Sequence, residues 1–136
     1  MIRVQTEDFD IGAEVNALTS GRTDIGALVT FTGLVRDSNG GTVASMELEH
    51  YPGMTGMALG AMRGEAMLRW DLADALVIHR IGQLEAHESI MMVVTASKHR
   101  KDAFEAAEFL MDYLKSRAPF WKKEIASDGS EWVASK

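Results

Sequence analysis

Apolar residues recur at helical spacing in three stretches of the chain, and short runs rich in β-branched residues separate them. The most regular helical stretch lies within residues 98–117. Its apolar face consists of Ala103, Ala106, Ala107, Leu110 and Leu114. Because a proline pushes the residue before it out of the α region, Pro119 predicts that this helix ends near Arg117.

Two further helices are predicted earlier in the chain. Asp10 is a suitable N-cap for a helix that ends at Gly21. The apolar face of this helix consists of Ile11, Val15 and Leu18. A longer helix is predicted over residues 54–70, with an apolar side formed by Met54, Met57, Ala58, Ala61, Met62 and Leu68. A methionine-rich stripe is usually core, although adaptable methionine surfaces also serve at interfaces.

The β-rich runs predict seven strands, over residues 2–5, 25–35, 43–51, 75–79, 90–96, 120–125 and 131–133. Gly33 indicates a bulge or a close approach of another backbone near the end of the second run. The DSNGGT composition that follows predicts a hairpin in which the second and third strands pair. GQLEAHE is interpreted as a hairpin-length connection between the fourth and fifth strands, and ASDGS as the turn of a last small hairpin.

The order of these elements predicts an α+β fold rather than a doubly wound one, because short hairpins replace a regular alternation of strand and helix. We expect a single domain over residues 1–136 with a mixed, mainly antiparallel sheet and two to three helices. The near-continuous apolar character of the runs at 75–79 and 90–96 indicates strands that helices cover on at least one face.

Composition limits the classes of function. With 46% hydrophobic and 25% charged residues, the chain has the mix of a soluble globular protein. It has no apolar run long enough to span a membrane and no signal-peptide pattern, so we expect a cytoplasmic protein. A net charge of -6 argues against nucleic-acid binding. The chain has no cysteine, which excludes disulfides and thiol chemistry, and its four histidines lack HExxH-type spacing, so no metal site is expected.

A basic cluster stands out against this acidic background. Residues 98–123 contain seven of the 14 Lys and Arg residues of the chain. Lys98, His99, Arg100 and Lys101 lie at or just before the start of the predicted helix, where the helix dipole is already positive. A bound phosphate or carboxylate would turn this local repulsion into an anion site, whereas the alternative is a solvated basic turn.

Three further cations are candidates for chemistry. Phe104, Met111 and Lys115 fall on one line of the helix, so the ammonium of Lys115 is expected beside an apolar strip that would lower its solvation and its pKa. Lys122 would return towards Lys115 if the chain reverses at the proline. Arg36 emerges at the end of the second strand. Taken one at a time, each of these residues is better explained as an ordinary surface charge.

Five segments of the sequence form a specific set by their order and spacing. They are FTGLVRD at 31–37, LEHYPGM at 48–54, HRIGQLE at 79–85, SKHRKDAFEA at 97–106 and DYLKSRAPFWKKE at 112–124. Together they resemble the family of large, catalytic subunits of molybdopterin synthase over nearly the whole chain. The resemblance implies an α/β-hammerhead-like fold and a homodimer within a heterotetramer. It also implies a small ubiquitin-like sulfur-carrier partner, whose C-terminal Gly-Gly carries a thiocarboxylate.

The resemblance implies a reaction and the residues that perform it. The family converts cyclic pyranopterin monophosphate to molybdopterin by inserting two sulfurs as a dithiolene, in molybdenum cofactor biosynthesis, with no metal and no cofactor. Its two catalytic lysines correspond to Lys115 and Lys122. Its substrate-binding positions correspond to Leu34, Val35, Arg36, His99, Arg100, Lys115, Lys122, Lys123 and Glu124. The lack of cysteine is consistent with this chemistry, because the partner brings the sulfur.

Several alternatives stay open at the level of sequence. Either lysine is a candidate for the acid, the base or a covalent intermediate, and the order of the two sulfur transfers is not specified. Two other classes of function also use these residues. One is a non-catalytic module that binds a ubiquitin-like sulfur carrier, and the other is a lysine Schiff-base enzyme that acts on a small phosphorylated carbonyl compound.

Two positions depart from the pattern of the family. His87 precedes Glu88 at a place where the family pattern leads us to expect a glycine, which bears on the geometry of that turn. The C-terminal EWVASK lacks the arginine that family members often place near the end. Whether Lys136 replaces this arginine in a substrate contact from the tail stays open at the level of sequence.

Overall fold

The computed structural model describes residues 1–36, 43–126 and 129–133, and the side chains of these residues except 43, 44, 124–126 and 129–133. Within them lie three helices, α1 (Ile11–Thr19), α2 (Met54–Arg69) and α3 (Arg100–Ser116). The eight strands are β1 (Ile2–Gln5), β2 (Ala27–Leu34), β3 (Val43–His50), β4 (Leu72–Arg80), β5 (Gly82–Glu85), β6 (Ser89–Ser97), β7 (Phe120–Ala126) and β8 (Gly129–Val133).

The strands form two four-stranded sheets. The first sheet has the order β1-β4-β6-β2 and the second has the order β5-β3-β7-β8. Among the described strands, β1 and β4 form the one parallel pair, with Ile2 opposite Val77, and the other pairs are antiparallel. The predicted α+β class and the mixed, mainly antiparallel pairing are confirmed.

The first sheet is covered by helices on both faces. Val77 and Val93 are directly opposite each other and pack into a core with α2 and α3. Their neighbours Ile78 and Val94 point to the other face, where Phe9 and residues of α1 pack on them. Because both faces are buried, β4 and β6 are apolar almost without interruption. The predicted helix cover is confirmed and extends to both faces.

Helix α3 agrees closely with the prediction. The five residues of its predicted apolar face are all buried. The helix ends at Ser116 with Arg117 as its C-cap, two residues before Pro119. Asp10 is also the N-cap of α1, where its carboxylate accepts a hydrogen bond from the N–H of Ala13 over 2.9 Å.

The apolar face predicted for α2 is partly wrong. Met57 is 77% exposed and Leu68 is 89% exposed, and Met54 is also exposed. The residues of α2 that are buried are Thr55, Leu59 and Ala66. Apolar residues occur all round this helix, so its periodicity does not specify which side packs on the sheet.

The predicted hairpin between β2 and β3 is wrong. β2 pairs with β6 in the first sheet, whereas β3 lies between β5 and β7 in the second. The eight residues 35–42 separate the two strands, which is longer than a typical hairpin loop. The turn-forming residues 37–42 themselves lie outside the described part of the chain. The expected irregularity near Gly33 is confirmed, because the pairing register with β6 shifts between Gly33 and Leu34.

GQLEAHE is more than a connection, because it contains strand β5. Gly82 has a φ of 90°, a conformation that favours glycine, and it lies where the chain leaves the first sheet for the second. Leu84 is fully buried in the core of the second sheet, together with Val35, Met46 and Leu48. This short strand therefore joins the two sheets.

Candidate active site

The N-terminal end of α3 presents the predicted basic segment. His99 and Arg100 are both exposed. His99 is the N-cap, in an extended conformation, and its side chain makes no capping hydrogen bond in the described structure. The free N–H groups and the positive end of the dipole therefore lie beside exposed cations, which is an arrangement that attracts anions.

Close backbone packing holds this segment against the first sheet. The hydroxyl of Ser97 donates to the carbonyl of His99, and the N–H of Gly26 donates to the carbonyl of Ser97 over 2.9 Å. A Cβ at Gly26 would lie 2.3 Å from the carbonyl oxygen of Lys98. Only glycine permits this approach, so Gly26 helps to set the position of the basic segment.

Lys115 and Lys122 lie on either side of the turn that joins α3 to β7. Lys115 is in the last turn of the helix and is exposed, and Lys122 is partly buried. The N–H of Ala118 donates to the carbonyl of Tyr113 over 3.0 Å, which closes the turn over residues 117–119. The chain reverses here, as the position of Pro119 predicted.

The predicted desolvation of Lys115 is wrong for the single chain. Phe104 is 60% exposed, and Lys115 is exposed as well. Met111 is partly buried against the core that α2 and α3 share with the first sheet. Phe104 and Lys115 lie on the surface of α3, so a single chain does not remove Lys115 from water.

Lys122 and Lys123 point to opposite faces of the second sheet. Lys122 is directly opposite Leu48, which is buried in the core of that sheet. Lys123 is opposite Glu47, and residues that face each other across antiparallel strands share a face. Lys122 therefore projects towards the interior side and Lys123 towards the side of an acidic neighbour. Glu124, the last member of the predicted set, is opposite Met46 in the same register.

Arg36 lies at the end of β2, beside the turn that precedes β6. Val35 is buried, and it donates its N–H to the carbonyl of Glu88 over 2.9 Å. Its own carbonyl accepts the N–H of His87 over 2.7 Å. Leu34 and Arg36, on either side of Val35, are exposed. Two backbone hydrogen bonds therefore hold Val35, the middle one of three consecutive residues predicted to bind substrate.

The turn at His87 is unusual. His87 has a φ of 74°. Among the described residues, it is the one residue other than glycine that has a positive φ. This conformation explains why a glycine is expected there, because a Cβ is disfavoured in the left-handed region.

The predicted binding residues fall into two groups at opposite ends of the molecule. Leu34 is opposite Ser89, and Ala27 is opposite Ser97. At 3.3 Å per residue, these ends of β6 are roughly 26 Å apart. Arg36 follows the first end and His99 the second. One chain cannot bring Arg36 and Arg100 to the same phosphate, because their side chains are too short to span this distance.

The two lysines belong to the end that carries Arg36. Helix α3 starts beside Ser97 and returns along the sheet, so that Tyr113 and Leu114 belong to the same core cluster as Met91. At 1.5 Å per residue, Lys115 lies roughly 22 Å from Arg100 along the helix. Val35 shares a core cluster with Leu48, the residue opposite Lys122. The structure therefore groups Arg36, Lys115 and Lys122, and separates them from the basic segment.

Two buried residues were not predicted as part of the site. His79 stacks on Phe120 with ring centroids 3.8 Å apart, and its Nδ1 bonds the carbonyl of Arg80 over 2.8 Å. The pKa of His79 is lowered to about 4, mainly by burial; the hydrogen bond to the Arg80 carbonyl opposes this shift, and the nearby His50 adds to it. A histidine inside an apolar strand was the available signal for this contact.

Arg80 is the second such residue. It is buried, and its guanidinium donates to the carbonyl of Thr6 and, over 3.1 Å, to the carbonyl of Ser89. The same group lies 3.5 Å from the carboxylate of Glu88. Arg80 thereby braces the turn that holds Val35. Its position as the last residue of the apolar strand β4 gave no sign of this role.

Within residues 1–36, 43–126 and 129–133, no group of three or more His, Asp or Glu side chains is arranged to hold a metal ion. No helix in the described part of the chain is long and apolar enough to cross a membrane.

The fold and site define an α+β protein with exposed cations at both ends of one helix and a second lysine across the turn from it. The chain belongs to the MoaE protein family, whose sequence pattern matches residues 4–117. It is 60% identical to the molybdopterin synthase catalytic subunit of Cereibacter sphaeroides, over 99% of this chain and 92% of that protein. The predicted resemblance is confirmed.

Solved structures agree with this membership. The structure of the molybdopterin biosynthesis MoaE protein from Burkholderia ambifaria superimposes with a TM-score of 0.86 at 52% identity, covering all of this chain and 90% of that one. A complex of subunits 1 and 2 of the molybdopterin-converting factor from Helicobacter pylori contains a chain with a TM-score of 0.84 at 18% identity. That match covers 99% of this chain and 91% of the other, and it shows that the fold is the same.

Proposed function

We propose that the protein is the catalytic subunit of a molybdopterin synthase. In this function it transfers sulfur from the C-terminal thiocarboxylate of a small ubiquitin-like partner to cyclic pyranopterin monophosphate, and so forms the dithiolene of molybdopterin. The observation that carries the proposal is the grouping of Lys115 and Lys122 around one turn, at the same end of the molecule as Arg36. We also propose that the protein carries out this activity in the cytoplasm, which cell fractionation would test.

The residues divide the work between binding and chemistry. Arg36, with the backbone of Leu34 and Val35 beside it, offers a charge-assisted contact to the anionic substrate at the lysine end. His99 and Arg100 offer a second cationic surface at a helix N-terminus. Lys115 and Lys122 act at the reacting carbons.

Each sulfur transfer needs a proton donor and a proton acceptor. As the thiocarboxylate sulfur of the partner attacks a substrate carbon, a C–S bond forms and a C–O bond breaks, which leaves the partner joined to the substrate as a thioester. Water then cleaves the bond between the partner's carbonyl carbon and the sulfur, so the sulfur stays on the substrate and the partner leaves as a carboxylate. An ammonium stabilises the developing negative charge on oxygen and protonates the departing oxygen, while a neutral amine takes up a proton. Lys115 and Lys122 are the groups that we propose for these two roles, and which lysine has which role is left to experiment.

The direct test is transfer of sulfur in a purified system. With thiocarboxylated partner and cyclic pyranopterin monophosphate, we expect mass spectrometry to show a product that has gained two sulfurs. The same mixture with unmodified partner should give none. Borohydride trapping of substrate on Lys115 without any need for the thiocarboxylate would instead favour the Schiff-base alternative. Binding of the partner without turnover would favour the non-catalytic module.

The separation of Arg36 from Arg100 bears on how the site is completed. If both contact one substrate molecule, they come from two copies of the chain, because in a single copy they follow opposite ends of β6, which are roughly 26 Å apart. We propose that the protein is a homodimer in which the basic segment of one copy completes the lysine site of the other. Exposed Met54, Met57 and Leu68 supply apolar surface for subunit contacts.

A mixed dimer tests this arrangement. One chain carries Arg36→Ala and the other carries Arg100→Ala, with different affinity tags so that the mixed dimer can be isolated. A shared site leaves one of the two sites fully wild type, so the mixed dimer should recover about half of the wild-type rate. If each site is built from one chain, every site stays defective and the rate stays at the level of the single variants.

A further inference from the structure

Thr55 makes two hydrogen bonds to the backbone, one of them to the residue that precedes β7. It lies in the first turn of α2 and is fully buried. Its hydroxyl donates to the carbonyl of Pro119 over 3.0 Å and accepts the N–H of Tyr51 over 3.1 Å. A valine would fill the same space without burying a polar atom, so the value of the hydroxyl lies in the two backbone groups that it holds.

His79 holds the next residue of β7 from the first sheet. Its ring stacks on Phe120 at an interplanar angle of 17°. Because Nδ1 bonds a carbonyl, it must carry the proton, and burial keeps the ring neutral at neutral pH by lowering its pKa to about 4. The orientation of the imidazole is thereby fixed, and the stack fixes the ring of Phe120 in turn.

A third contact follows on the outer face. Trp121 meets Tyr51 edge to face, with ring centroids 4.2 Å apart. Residues 119, 120 and 121 are therefore each held by a residue from another part of the fold. The next residue is Lys122. Its Cα position and the direction of its side chain are set by these contacts and by its pairing with Leu48.

We propose that Thr55 and His79 are positioning residues that fix the ammonium of Lys122 relative to the substrate. This inference rests on the proposed function, in which Lys122 acts in the chemical step. Neither residue is expected to touch the substrate. Their effect runs through Pro119 and Phe120, and a displacement of about 1 Å at a reacting group is enough to slow a reaction strongly.

The first experiment compares three threonine variants in the sulfur-transfer assay, with saturating thiocarboxylated partner. Thr55→Val should lower kcat about tenfold and change KM for cyclic pyranopterin monophosphate less than about twofold. Thr55→Ser restores the hydroxyl and should stay within about threefold of wild type. Thr19→Val is the matched control, because Thr19 also donates to a backbone carbonyl, that of Val15, but lies in α1. It should leave kcat unchanged.

A double-mutant cycle separates positioning from general stability. If Thr55 acts through Lys122, Thr55→Val should have less than about a twofold effect on the residual rate of Lys122→Ala. An equal loss of rate in both backgrounds would overturn the inference, as would a wild-type kcat for Thr55→Val. If Lys122→Ala itself reacted at the wild-type rate, the catalytic assignment would fail and this inference would fail with it.

The stack of His79 on Phe120 allows an independent experiment if Thr55→Val does not fold. His79→Phe keeps an aromatic ring against Phe120 and should retain kcat within about threefold, whereas His79→Leu loses the stack and should lower kcat about tenfold. Equal kcat values for the two variants would remove His79 from the proposal. Circular dichroism of both variants at the assay temperature checks that the compared chains are folded.

Discussion

The two ends of α3 both carry cations, but the fold treats them differently. At the N-terminal end, His99 and Arg100 are exposed and no side chain caps the helix in the described structure. At the C-terminal end, the chain turns at once into β7, where Thr55 and His79 hold the backbone before Lys122. Exposed charges suit the capture of an anion, whereas a proton-transfer group needs a fixed position. We therefore propose that one end binds the substrate and that the other performs the chemistry.

Loss of either lysine is the largest expected effect and tests the chemical end. Lys115→Met and Lys122→Ala should each lower the rate of sulfur transfer on the order of 10²-fold or more, as expected when a positioned acid–base group is removed. Both variants should still form the complex with the partner. Lys115→Arg is the matched control, because it keeps the positive charge but cannot give up its proton. If Lys115→Arg were fully active, Lys115 would contribute only its positive charge and would not transfer a proton.

Loss of Arg100 tests the binding end. Arg100→Ala should weaken substrate binding by about 1.5–3 kcal/mol, the value of a charge-assisted hydrogen bond, and leave partner affinity unchanged. Calorimetric titration with substrate measures this directly. Arg117→Ala removes the same charge from the other end of α3 and should change binding less than about threefold. Equal losses in the two variants would mean that net charge, rather than the helix N-terminus, holds the substrate.

The backbone contact beneath the binding end gives a third test. Gly26→Ala forces a Cβ against the carbonyl of Lys98, so it should lower the free energy of unfolding by about 1–3 kcal/mol and weaken substrate binding. Gly60→Ala is the control, because no heavy atom lies within 4 Å of a Cβ at that position of α2. It should raise stability by about 0.5–1 kcal/mol. An unchanged affinity in Gly26→Ala would show that the close approach does not position His99 and Arg100.

Acidification tests the support beneath the chemical end. The folded pKa of His79 is about 4, below the value of 6.5 expected in the unfolded chain. Between these values the unfolded state binds more protons, so stability is present above pH 6.5 and is lost as pH falls. The loss from His79 should reach about 2 kcal/mol by pH 5. Urea unfolding of wild type and His79→Phe at pH 7 and pH 5 measures it, and the variant should lose less by that amount.

The smallest expected effect is a gain in stability at the turn beside Arg36. His87→Gly removes a Cβ from a residue with a φ of 74° and should raise the free energy of unfolding by about 0.5–1 kcal/mol. The two hydrogen bonds to Val35 come from backbone groups, so the rate of sulfur transfer should not change. A loss of activity in this variant would indicate that the imidazole itself belongs to the lysine end of the molecule.

Local patterns determined the elements whose residues interact mainly with their sequence neighbours. The bounds of α3, its buried alanines and leucines, and the basic segment at its start all follow from helical periodicity and from Pro119. The cap at Asp10 and the irregularity after Gly33 were equally accessible. The resemblance then attached roles to Lys115 and Lys122, which periodicity alone left as surface charges.

Tertiary structure decided everything that depends on which distant segments meet. Strand pairing is long-range, so the sequence did not show that β2 and β3 belong to different sheets. It also did not show that Arg36 and Arg100 follow opposite ends of β6. The apolar residues around α2 allowed more than one buried side, and only packing on the first sheet selected Leu59 and Ala66. His79 and Thr55 reached Phe120 and Pro119 only because two sheets and a helix converge at one turn. Periodicity describes what a residue does within its own element, whereas a site is built from several elements.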